Sequence, residues 1–575
     1  MIKLMKYLKP YALQVIVVLI LTLSGVFAEL LLPRFMGNIV DKGITAGNLQ
    51  YIYKTGALML TVAVLGTTAT VISRYISSRA ALAYGRDLRS DVFKKVESFS
   101  MYEINKMGTS SLITRTTNDV NQMQNVTIMS MRMVIRAPFM MVGGIIMALS
   151  TNLELSKVLL FSAPILIIVI SVIGTKGYPL FKKIQLKIDN LNKVLRESLT
   201  GIRVIRAFNK TAYEKERFNQ SNKDLTSTSL RVGRLMALMM PLLNVILNFT
   251  IVGVIWYGSK MVDNSSLEVG QLMAFIQYVS QIMFSMIMVS MIFVMLPRAS
   301  ASAERINEIL DMQSEMTDCN TIPSNVKNNG ILKLENVTFK FKNASAPAVS
   351  NISFSTKKGE TTAIIGGTGS GKSTILNLLV RFYDVTEGKI TIDGIDIRNM
   401  PQEFLRKKFG LISQKTVLFT GTIRDNIRFG REDASDKEIT EVLKIAQAWD
   451  FVSEKEEGLD YVLSQSGKNL SGGQKQRLSI ARALIRKPEF YLFDDSFSAL
   501  DFQTDKKLRD ALKTYTGDSV MIIVAQRVST IKDAENIIVL DEGKIVGQGT
   551  HADLIKKCEA YREIVISQLG EEAIK

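Results

Sequence analysis

Six long apolar runs lie in the first 300 residues of this 575-residue chain. They fall near residues 12–33, 55–75, 133–151, 154–175, 236–258 and 270–296. A run of about 20 predominantly apolar residues is long enough for a helix to cross a bilayer. The pattern therefore predicts six membrane-spanning helices within a helical membrane domain over residues 1–311.

Two stretches between these runs are long and helix-like rather than loop-like. Leu82–Phe99 and Lys182–Phe208 both carry apolar residues at spacings of three and four among charged ones. We expect the membrane helices to extend far into the cytoplasm and to be joined by short turns or helices. One joint is predicted near Met101–Gly108 and another near Asn209–Arg217, where each can press on a cytoplasmic domain.

The second half of the chain has a different pattern. A charged helix-like run, Ala301–Asp311, leads into a polar stretch at 312–330 that is typical of a domain linker. From Ile331 onward, short apolar segments alternate with turn residues. We therefore expect a separate α/β domain over residues 331–575.

Charge distribution sets the orientation and excludes one class of partner. The net charge is +17, and Lys176–Arg234 holds 14 Lys or Arg against 5 Asp or Glu, whereas Ser259–Val269 holds one lysine. Basic loops of membrane proteins lie in the cytoplasm. No base-reading motif accompanies the positive charge, so nucleic acid is not an expected partner. Both termini are predicted to be cytoplasmic, and the lipid bilayer is the expected surroundings of the six spans.

Cysteine usage adds no metal or redox chemistry. The chain has two cysteines, Cys319 and Cys558, which are too few for a disulfide framework and lack metal-ligand spacing. We expect two reduced thiols.

The spans contain few ionisable residues and many methionines. Glu29 is the main charged residue, and its place near the end of the first run favours an anchoring or capping role over an ion pathway. Methionine suits surfaces that accept varied apolar ligands, although ordinary lipid-facing or packing methionines are the favoured interpretation. The methionines concerned are Met236, Met239, Met240, Met283, Met286, Met288, Met291 and Met295. Four polar amide side chains in the fifth and sixth runs are expected to face a helix bundle or a cavity rather than lipid. They are Asn244, Asn248, Gln277 and Gln281.

A phosphate-binding loop opens the second half. Residues 366–373 match the pattern G-x-x-x-x-G-K-[ST], between a strand-like run at Thr361–Ile365 and a helix-like run at Thr374–Arg381. Backbone amides of such a loop cradle phosphates, the lysine reaches the β- and γ-phosphates, and the hydroxyl binds Mg²⁺. The predicted ATP-binding residues here are Gly366, Gly367, Thr368, Gly369, Ser370, Gly371, Lys372, Ser373 and Thr374.

A second strand supplies the metal-binding carboxylate. Phe490–Phe493 is apolar and ends in Asp494, the placement expected of a Walker-B aspartate that holds Mg²⁺. Between the two motifs, residues 470–474 carry a third motif composed of Leu470, Ser471, Gly472, Gly473 and Gln474. It offers backbone and hydroxyl donors without a catalytic base, so it is suited to completing another domain's site.

Together these motifs resemble those of ATP-binding-cassette (ABC) exporter half-transporters, in which six membrane helices are fused to one nucleotide-binding domain. The resemblance covers essentially the whole chain. It implies an α/β domain with an antiparallel β subdomain and a helical subdomain that carries the Leu470–Gln474 signature. It also implies roles for Phe341 in adenine stacking, for Gln414 in the Q-loop near Mg²⁺, and for Asp501 in the D-loop Ser498–Asp501.

The chain departs from that family at two reacting positions. Asp495 follows Asp494 where a glutamate is usual, and Gln526 stands where a histidine is usual. Asp495 is shorter than glutamate by one methylene, and Gln526 cannot carry a proton, although glutamine positions water in some nucleotide hydrolases. Gln465, just before the signature, also replaces a usual glutamate. The binding motifs are kept, so the resemblance implies a degenerate ATP site in one subunit of a heterodimer.

In this interpretation a second half-transporter carries the usual glutamate and histidine, and the intact signature of this chain completes the partner's site. The expected activity is ATP-driven export of apolar or amphipathic compounds, such as drugs or lipids, from a bacterial inner membrane. Two alternatives remain at this point. In the first, the chain forms a homodimeric exporter in which the substitutions at Asp495 and Gln526 are tolerated. In the second, nucleotide binding gates a membrane protein that does not pump.

Overall fold

The computed structural model describes residues 1–314, 316, 318–319, 321, 329–342 and 344–574. Its contacts separate two compact units. The helical unit comprises Met1–Ser98 and Met107–Met312, and the sheet unit comprises Phe99–Lys106 and Gln313–Lys575. Much of the predicted linker at 312–330 lies outside the described residues.

Helices account for nearly all of the first 311 residues. Their bounds are α1 (Ala12–Asn38), α2 (Leu49–Glu97), α3 (Met101–Met107), α4 (Thr109–Thr114), α5 (Val120–Met129), α6 (Ile135–Thr151), α7 (Leu153–Thr200), α8 (Ile202–Ala207), α9 (Thr211–Asp263) and α10 (Val269–Asp311). A 3₁₀ segment, Ile2–Tyr11, precedes α1, and π-helical segments lie at Ile39–Ile44, Arg115–Asp119 and Ser130–Val134. The charged run that ends at Asp311 is continuous with α10 through Pro297.

Six helical stretches within the described residues are long and apolar enough to cross a membrane, which confirms the predicted number. Helices α2, α7 and α9 contain 49, 48 and 53 residues. Because about 20 residues span a bilayer, each extends well beyond it, as predicted. Asn48 and Asn152 cap α2 and α7 by accepting from the backbone N–H groups of Tyr51 and Leu155.

One of the two predicted joints is correctly placed and the other is not. Helix α3 coincides with the first joint. The second joint is α8, bounded by Gly201 and by Asn209, whose φ is +52°. The prediction of Asn209–Arg217 was wrong by several residues because Thr211 already begins α9. Asparagine is one of the few residues that adopt a left-handed conformation readily, so it ends the short helix there.

Within the helical unit, α1 packs against α2, α6 and α10, while α7 packs against α9. Helices α1 and α10 approach each other closely at two glycines, Gly37 and Gly270. A Cβ atom built on Gly270 would lie 2.2 Å from the carbonyl oxygen of Gly37. Small residues allow this kind of backbone contact between membrane helices. Asp41 adds a hydrogen bond by accepting from the backbone N–H of Gly270 at 2.6 Å.

Glu29 has a partner that the sequence did not indicate. An Nη atom of Arg136, on α6, lies 2.5 Å from the Glu29 carboxylate, and Gln281 on α10 donates to the Glu29 backbone carbonyl at 3.3 Å. A charge in an apolar span is costly unless it is paired. Three of the four amides expected to face a bundle or cavity are exposed in the single chain, namely Asn244, Asn248 and Gln277. Met291 and Met295 lie outside the side chains that the structure describes.

The sheet unit contains two principal sheets. The first is an antiparallel sheet in the order β2-β1-β4-β5, and the second has the order β12-β11-β3-β10-β9-β6 and is parallel except for its β11–β12 pair. A short pair joins β7 and β8. The strands are β1 (Leu332–Phe339), β2 (Val349–Thr356), β3 (Thr361–Gly366), β4 (Glu387–Ile392), β5 (Ile395–Asp396), β6 (Phe409–Ile412), β7 (Gly421–Thr422), β8 (Val462–Leu463), β9 (Phe490–Asp494), β10 (Val520–Val524), β11 (Asn536–Asp541) and β12 (Lys544–Gly549).

The sheet unit also contains helices. They are α11 (Lys372–Leu379), α12 (Gln402–Lys407), α13 (Ile423–Arg428), α14 (Asp436–Ile445), α15 (Trp449–Ser453), α16 (Gly472–Leu484), α17 (Phe502–Tyr515), α18 (Val528–Ile531), α19 (His551–Lys557) and α20 (Glu559–Leu569). Short 3₁₀ turns lie at Ile397–Asn399, Gly458–Asp460, Gln465–Gly467 and Glu571–Ile574. Successive residues of β3 enter opposite cores, Ile364 on one side and Ala363 and Ile365 on the other, as the two-residue period of a strand requires.

Helix α3 lies in the sheet unit although it is flanked by membrane helices in sequence. The Asn105 side chain donates to the Tyr383 hydroxyl at 3.0 Å, and Lys342 lies 4.9 Å from the centre of the Tyr102 ring. Glu103 is buried and accepts from the backbone N–H of Ser100. The first joint is therefore packed in the sheet unit.

Candidate nucleotide-binding site

The phosphate loop connects the end of β3 to the start of α11. Gly369 and Gly371 have φ angles of +84° and +94°, which glycine adopts without strain. A Cβ on Gly371 would lie 2.7 Å from the carbonyl oxygen of Ala348, so a side chain is excluded there. The predicted strand is confirmed, whereas the helix starts at Lys372 rather than Thr374 and ends at Leu379 rather than Arg381. Its first turn includes the loop lysine, so its N-terminal amides border the loop.

Lys372 is directed toward the loop. Its Nζ atom donates to the carbonyl oxygens of Gly366 and Gly367 at 2.9 and 2.7 Å. Burial lowers the pKa of Lys372, and the nearby Asp495 and Asp494 carboxylates oppose that shift. The ammonium group is thus held beside backbone amides that a phosphate would contact, which suits the loop to an anion.

Ser373 and Asp494, two of the residues predicted to hold Mg²⁺, are in direct contact. The Ser373 hydroxyl donates to the Asp494 carboxylate at 2.9 Å. Burial raises the pKa of Asp494, the charge of Asp495 adds to the rise, and the Ser373 hydrogen bond opposes it. A hydroxyl and a carboxylate are hard oxygen ligands of the kind that Mg²⁺ prefers alongside water and phosphate oxygens. These residues therefore fit a Mg²⁺ ion bound with a nucleotide.

Asp495 receives two amide donors at one carboxylate oxygen. Gln414 and Gln526 donate through Nε2 to Asp495 Oδ2 at 3.3 and 3.0 Å. Asp495 itself has a φ of +47° and donates its backbone N–H to the carbonyl of Val524. The structure brings together all three side chains predicted for the reacting centre, and it places both unusual residues in direct contact.

The signature residues begin α16. Ser471 caps the helix by accepting from the backbone N–H of Gln474 at 3.3 Å, and the Gln474 side chain accepts from the N–H of Ser471 at 2.9 Å. This capping box stabilises a helix N-terminus. A Cβ on Gly472 would meet no atom within 4 Å, whereas Leu470 is buried. The glycine side of the signature is therefore accessible to another molecule.

The other two predicted positions adopt ordered arrangements. Asp501 caps α17 by accepting from the backbone N–H of Thr504 at 2.9 Å, and that hydrogen bond lowers the pKa of Asp501. Phe341 is exposed and makes edge contacts with the rings of Phe339 and Tyr383. An exposed ring supported at its edge leaves a face on which a base can stack.

Sequence reasoning missed a connection between the Q-loop segment and the signature helix. The Thr416 hydroxyl, two residues beyond Gln414, donates to the Gln476 side chain on α16 at 2.5 Å. It links the Q-loop segment to the signature helix. Sixty residues separate the two partners, and no local pattern distinguishes either of them.

Comparisons with known proteins agree with this organisation. Residues 15–286 match the family model of the ABC transporter transmembrane region, and residues 349–498 match that of the ABC transporter. An uncharacterized ABC transporter ATP-binding protein of Mycobacterium tuberculosis is 40% identical over 571 residues, covering 98% of this chain and 97% of the relative. An ATP-dependent lipid A-core flippase of Vibrio parahaemolyticus is 28% identical over 572 residues, with 99% and 98% covered.

A solved structure has the same fold. The structure of a bacterial Atm1-family ABC exporter with ATP bound aligns with a TM-score of 0.80 at 25% identity, and the alignment covers 98% of this chain and 99% of that one.

Six membrane-spanning helices joined to a domain with a phosphate loop and a Walker-B carboxylate define a membrane transporter with its own ATP-binding domain. The chain belongs to the ABC transporter family and has the architecture of its exporters, with an N-terminal transmembrane domain followed by a nucleotide-binding domain. It is a multi-pass membrane protein, and transport coupled to ATP hydrolysis is the general activity of this family.

Proposed function

We propose that this chain is one subunit of a heterodimeric ABC exporter, in which it binds one ATP at a degenerate site and completes the efficient site of its partner. The single observation that carries the proposal is the arrangement at Asp495. Its carboxylate is shorter than the family's glutamate and accepts from Gln526, which replaces the family's histidine, at 3.0 Å. Both departures therefore meet at the reacting centre, while the binding motifs around it are kept.

The residues that would contact the phosphates, Mg²⁺ and adenine support binding of ATP at this chain's site. Lys372 would exchange its loop carbonyl partners for β- and γ-phosphate oxygens, and Phe341 would stack on the adenine. Ser373, Asp494 and Gln414 would hold Mg²⁺, which when bound neutralises phosphate charge. We assign ATP binding to the whole segment Gly366–Thr374, within a nucleotide-binding domain at residues 331–575.

The two unusual residues, Asp495 and Gln526, support slow hydrolysis of ATP at this site. Replacement of a glutamate by Asp495 withdraws the carboxylate by about 1.5 Å, the length of one carbon–carbon bond. A misplacement of about 1 Å can lower a rate by roughly 100-fold. Gln526 donates a hydrogen bond but cannot transfer a proton as histidine can. ATP would thus remain at this site through several turnovers of the partner's site.

Several exposed surfaces support a second chain. The signature helix begins with an accessible glycine, Gly472, and Leu470–Gln474 would cover the partner's ATP with Asp501 nearby. The α8 joint and the residue that follows it expose apolar side chains, with Val204 at 61% and Phe208 at 72%. In the sheet unit, Phe419 and Phe429 pack against each other and are exposed as well. Apolar patches of this kind mark protein interfaces.

Exposed amides in the membrane spans lead to the same inference. Asn244, Asn248 and Gln277 are exposed in the single chain although they lie in apolar runs. Contact with lipid would leave their amide groups without hydrogen-bond partners, so a partner's helices or a cavity between two chains is the more favourable surroundings.

The proposed activity is export of apolar or amphipathic compounds, drugs or lipids, across a bacterial inner membrane, with both termini and the nucleotide-binding domain in the cytoplasm. Met240 and Met288, on two different spans, are exposed and suit varied apolar ligands. ATP binding between the two chains would close the nucleotide-binding domains and act through the α3 and α8 joints to open the membrane domain outward. Hydrolysis at the partner's site would reset it.

The test is to purify the chain alone and together with the half-transporter of a neighbouring reading frame. In vesicles, we expect substrate-stimulated ATP hydrolysis and ATP-dependent substrate movement only when both chains are present. Brisk transport-coupled hydrolysis by the chain alone would support a homodimer and contradict the proposal. Nucleotide binding without substrate movement in the two-chain preparation would instead support a gate that does not pump.

A further inference from the structure

A side chain of helix α20 forms two hydrogen bonds with the loop that carries Gln526. Gln568, on α20, donates through Nε2 to the backbone carbonyl of Gln526 at 2.7 Å and accepts at Oε1 from the backbone N–H of Val528 at 2.8 Å. A primary amide carries a donor and an acceptor side by side. One side chain can therefore fix both ends of this three-residue loop.

The loop so fixed leads directly to the reacting centre. The side chain of Gln526 donates to Asp495 at 3.0 Å, and Arg527 donates to the backbone carbonyl of Ser498 in the D-loop at 3.4 Å. Gln568 thus holds the backbone of the residue whose side chain contacts the carboxylate. A displacement of that backbone would carry the amide away from Asp495.

Helix α20 is fixed in place by buried side chains. Tyr561 and Val565 are fully buried, and the Tyr561 hydroxyl lies 2.7 Å from Nδ1 of His551. Gln568 follows Val565 by three residues, so it extends from the same side of the helix. It is itself exposed, and a substitution there would leave the buried face intact.

We propose that Gln568 is a positioning residue for ATP hydrolysis, which fixes the 526–528 loop so that the side chain at position 526 reaches the carboxylate at position 495. The inference rests on the proposed function only through the roles given there to Gln526 and Asp495. It assigns a function to the C-terminal helix that neither the nucleotide-binding motifs nor the signature provides.

The first test uses the assembled transporter with the reacting centre restored by Asp495→Glu and Gln526→His. Adding Gln568→Leu, which removes both hydrogen bonds, should lower kcat at this site by about tenfold, the equivalent of two solvent-exposed hydrogen bonds. The KM for ATP should stay unchanged because Gln568 does not contact the nucleotide-binding segment. Gln568→Glu retains only the acceptor for the Val528 N–H, so its kcat should lie between the values for Gln568 and Gln568→Leu.

Glu563→Leu, at an exposed position of the same helix, is the matched control and should leave kcat unchanged. Equal kcat values for the restored transporter with and without Gln568→Leu would overturn the inference. So would parallel changes in kcat and KM, which indicate a general loss of structure.

A second measurement does not depend on the restored centre. In the full-length Gln568→Leu protein, the backbone N–H of Val528 loses its acceptor, so its hydrogen exchange should become about tenfold faster. Exchange at Val528 should not change in Glu563→Leu. Unchanged exchange at Val528 would overturn the inference. If exchange accelerates but the restored centre shows no gain in hydrolysis, the positioning contact stands and the proposed degenerate site fails.

Discussion

Asp495→Glu is the substitution whose effect the geometry specifies best. The Asp495 carboxylate receives Gln414 and Gln526 at 3.3 and 3.0 Å. Lengthening the side chain by one carbon–carbon bond advances the carboxylate by about 1.5 Å. Since about 1 Å of misplacement costs roughly 100-fold in rate, we expect hydrolysis at this chain's site to become about 100-fold faster. That factor corresponds to about 2.7 kcal/mol in the activation free energy.

The assay is a single-turnover measurement of phosphate release from ATP bound at this chain's phosphate loop. The partner's own phosphate-loop lysine is replaced, so that its site does not contribute. Asp495→Asn is the matched control, because it keeps the side-chain length and removes the carboxylate, and it should give no increase. A rate for Asp495→Glu within about threefold of the parent would refute the reasoning that carboxylate placement limits this site.

Three further outcomes follow from the described contacts. Lys372→Ala should weaken ATP binding at this chain's site by about tenfold or more, because a charged contact to phosphate is lost, as measured by nucleotide crosslinking to this chain. Ser471→Arg should abolish hydrolysis at the partner's site while leaving crosslinking at Lys372 unchanged. Asp494→Asn should raise the Tm of the nucleotide-free protein at pH 7 but not at pH values below the ordinary pKa of aspartate. The half-buried Asp494 carboxyl has a raised pKa, so it favours folding at low pH and loses that contribution as pH rises through its folded-state pKa. An equal gain in Tm at both pH values would contradict this cause.

Features set by local sequence were predicted well. Six apolar runs gave the correct number of candidate spans, and the strand, glycine loop and helix around Lys372 are adjacent in the chain, so their pattern is visible without a structure. The starting residue of α11 was misplaced by two positions because Lys372 and Ser373 belong both to the loop motif and to the first turn of the helix. The α8 joint was misplaced because the polar residues after Asn209 are helical rather than irregular.

Contacts between distant residues could not be predicted. Arg136 pairs with Glu29 across 107 residues, and Gln568 reaches Gln526 across 42. Which residues meet at such distances is decided by how helices pack, and apolar periodicity gives the face of each helix but not its neighbour. For this reason the reacting residues could be named from motifs, whereas the side chain that positions them could not.

The central claim is that this chain retains ATP at its own site while its signature supports hydrolysis at another. The most direct measurement is the nucleotide content of the assembled transporter, isolated rapidly during substrate-stimulated turnover with radiolabelled ATP. We predict that intact ATP remains bound at this chain's phosphate loop in a Lys372-dependent manner, while the partner's site holds mainly ADP. Equal conversion of ATP to ADP at both sites would contradict the account.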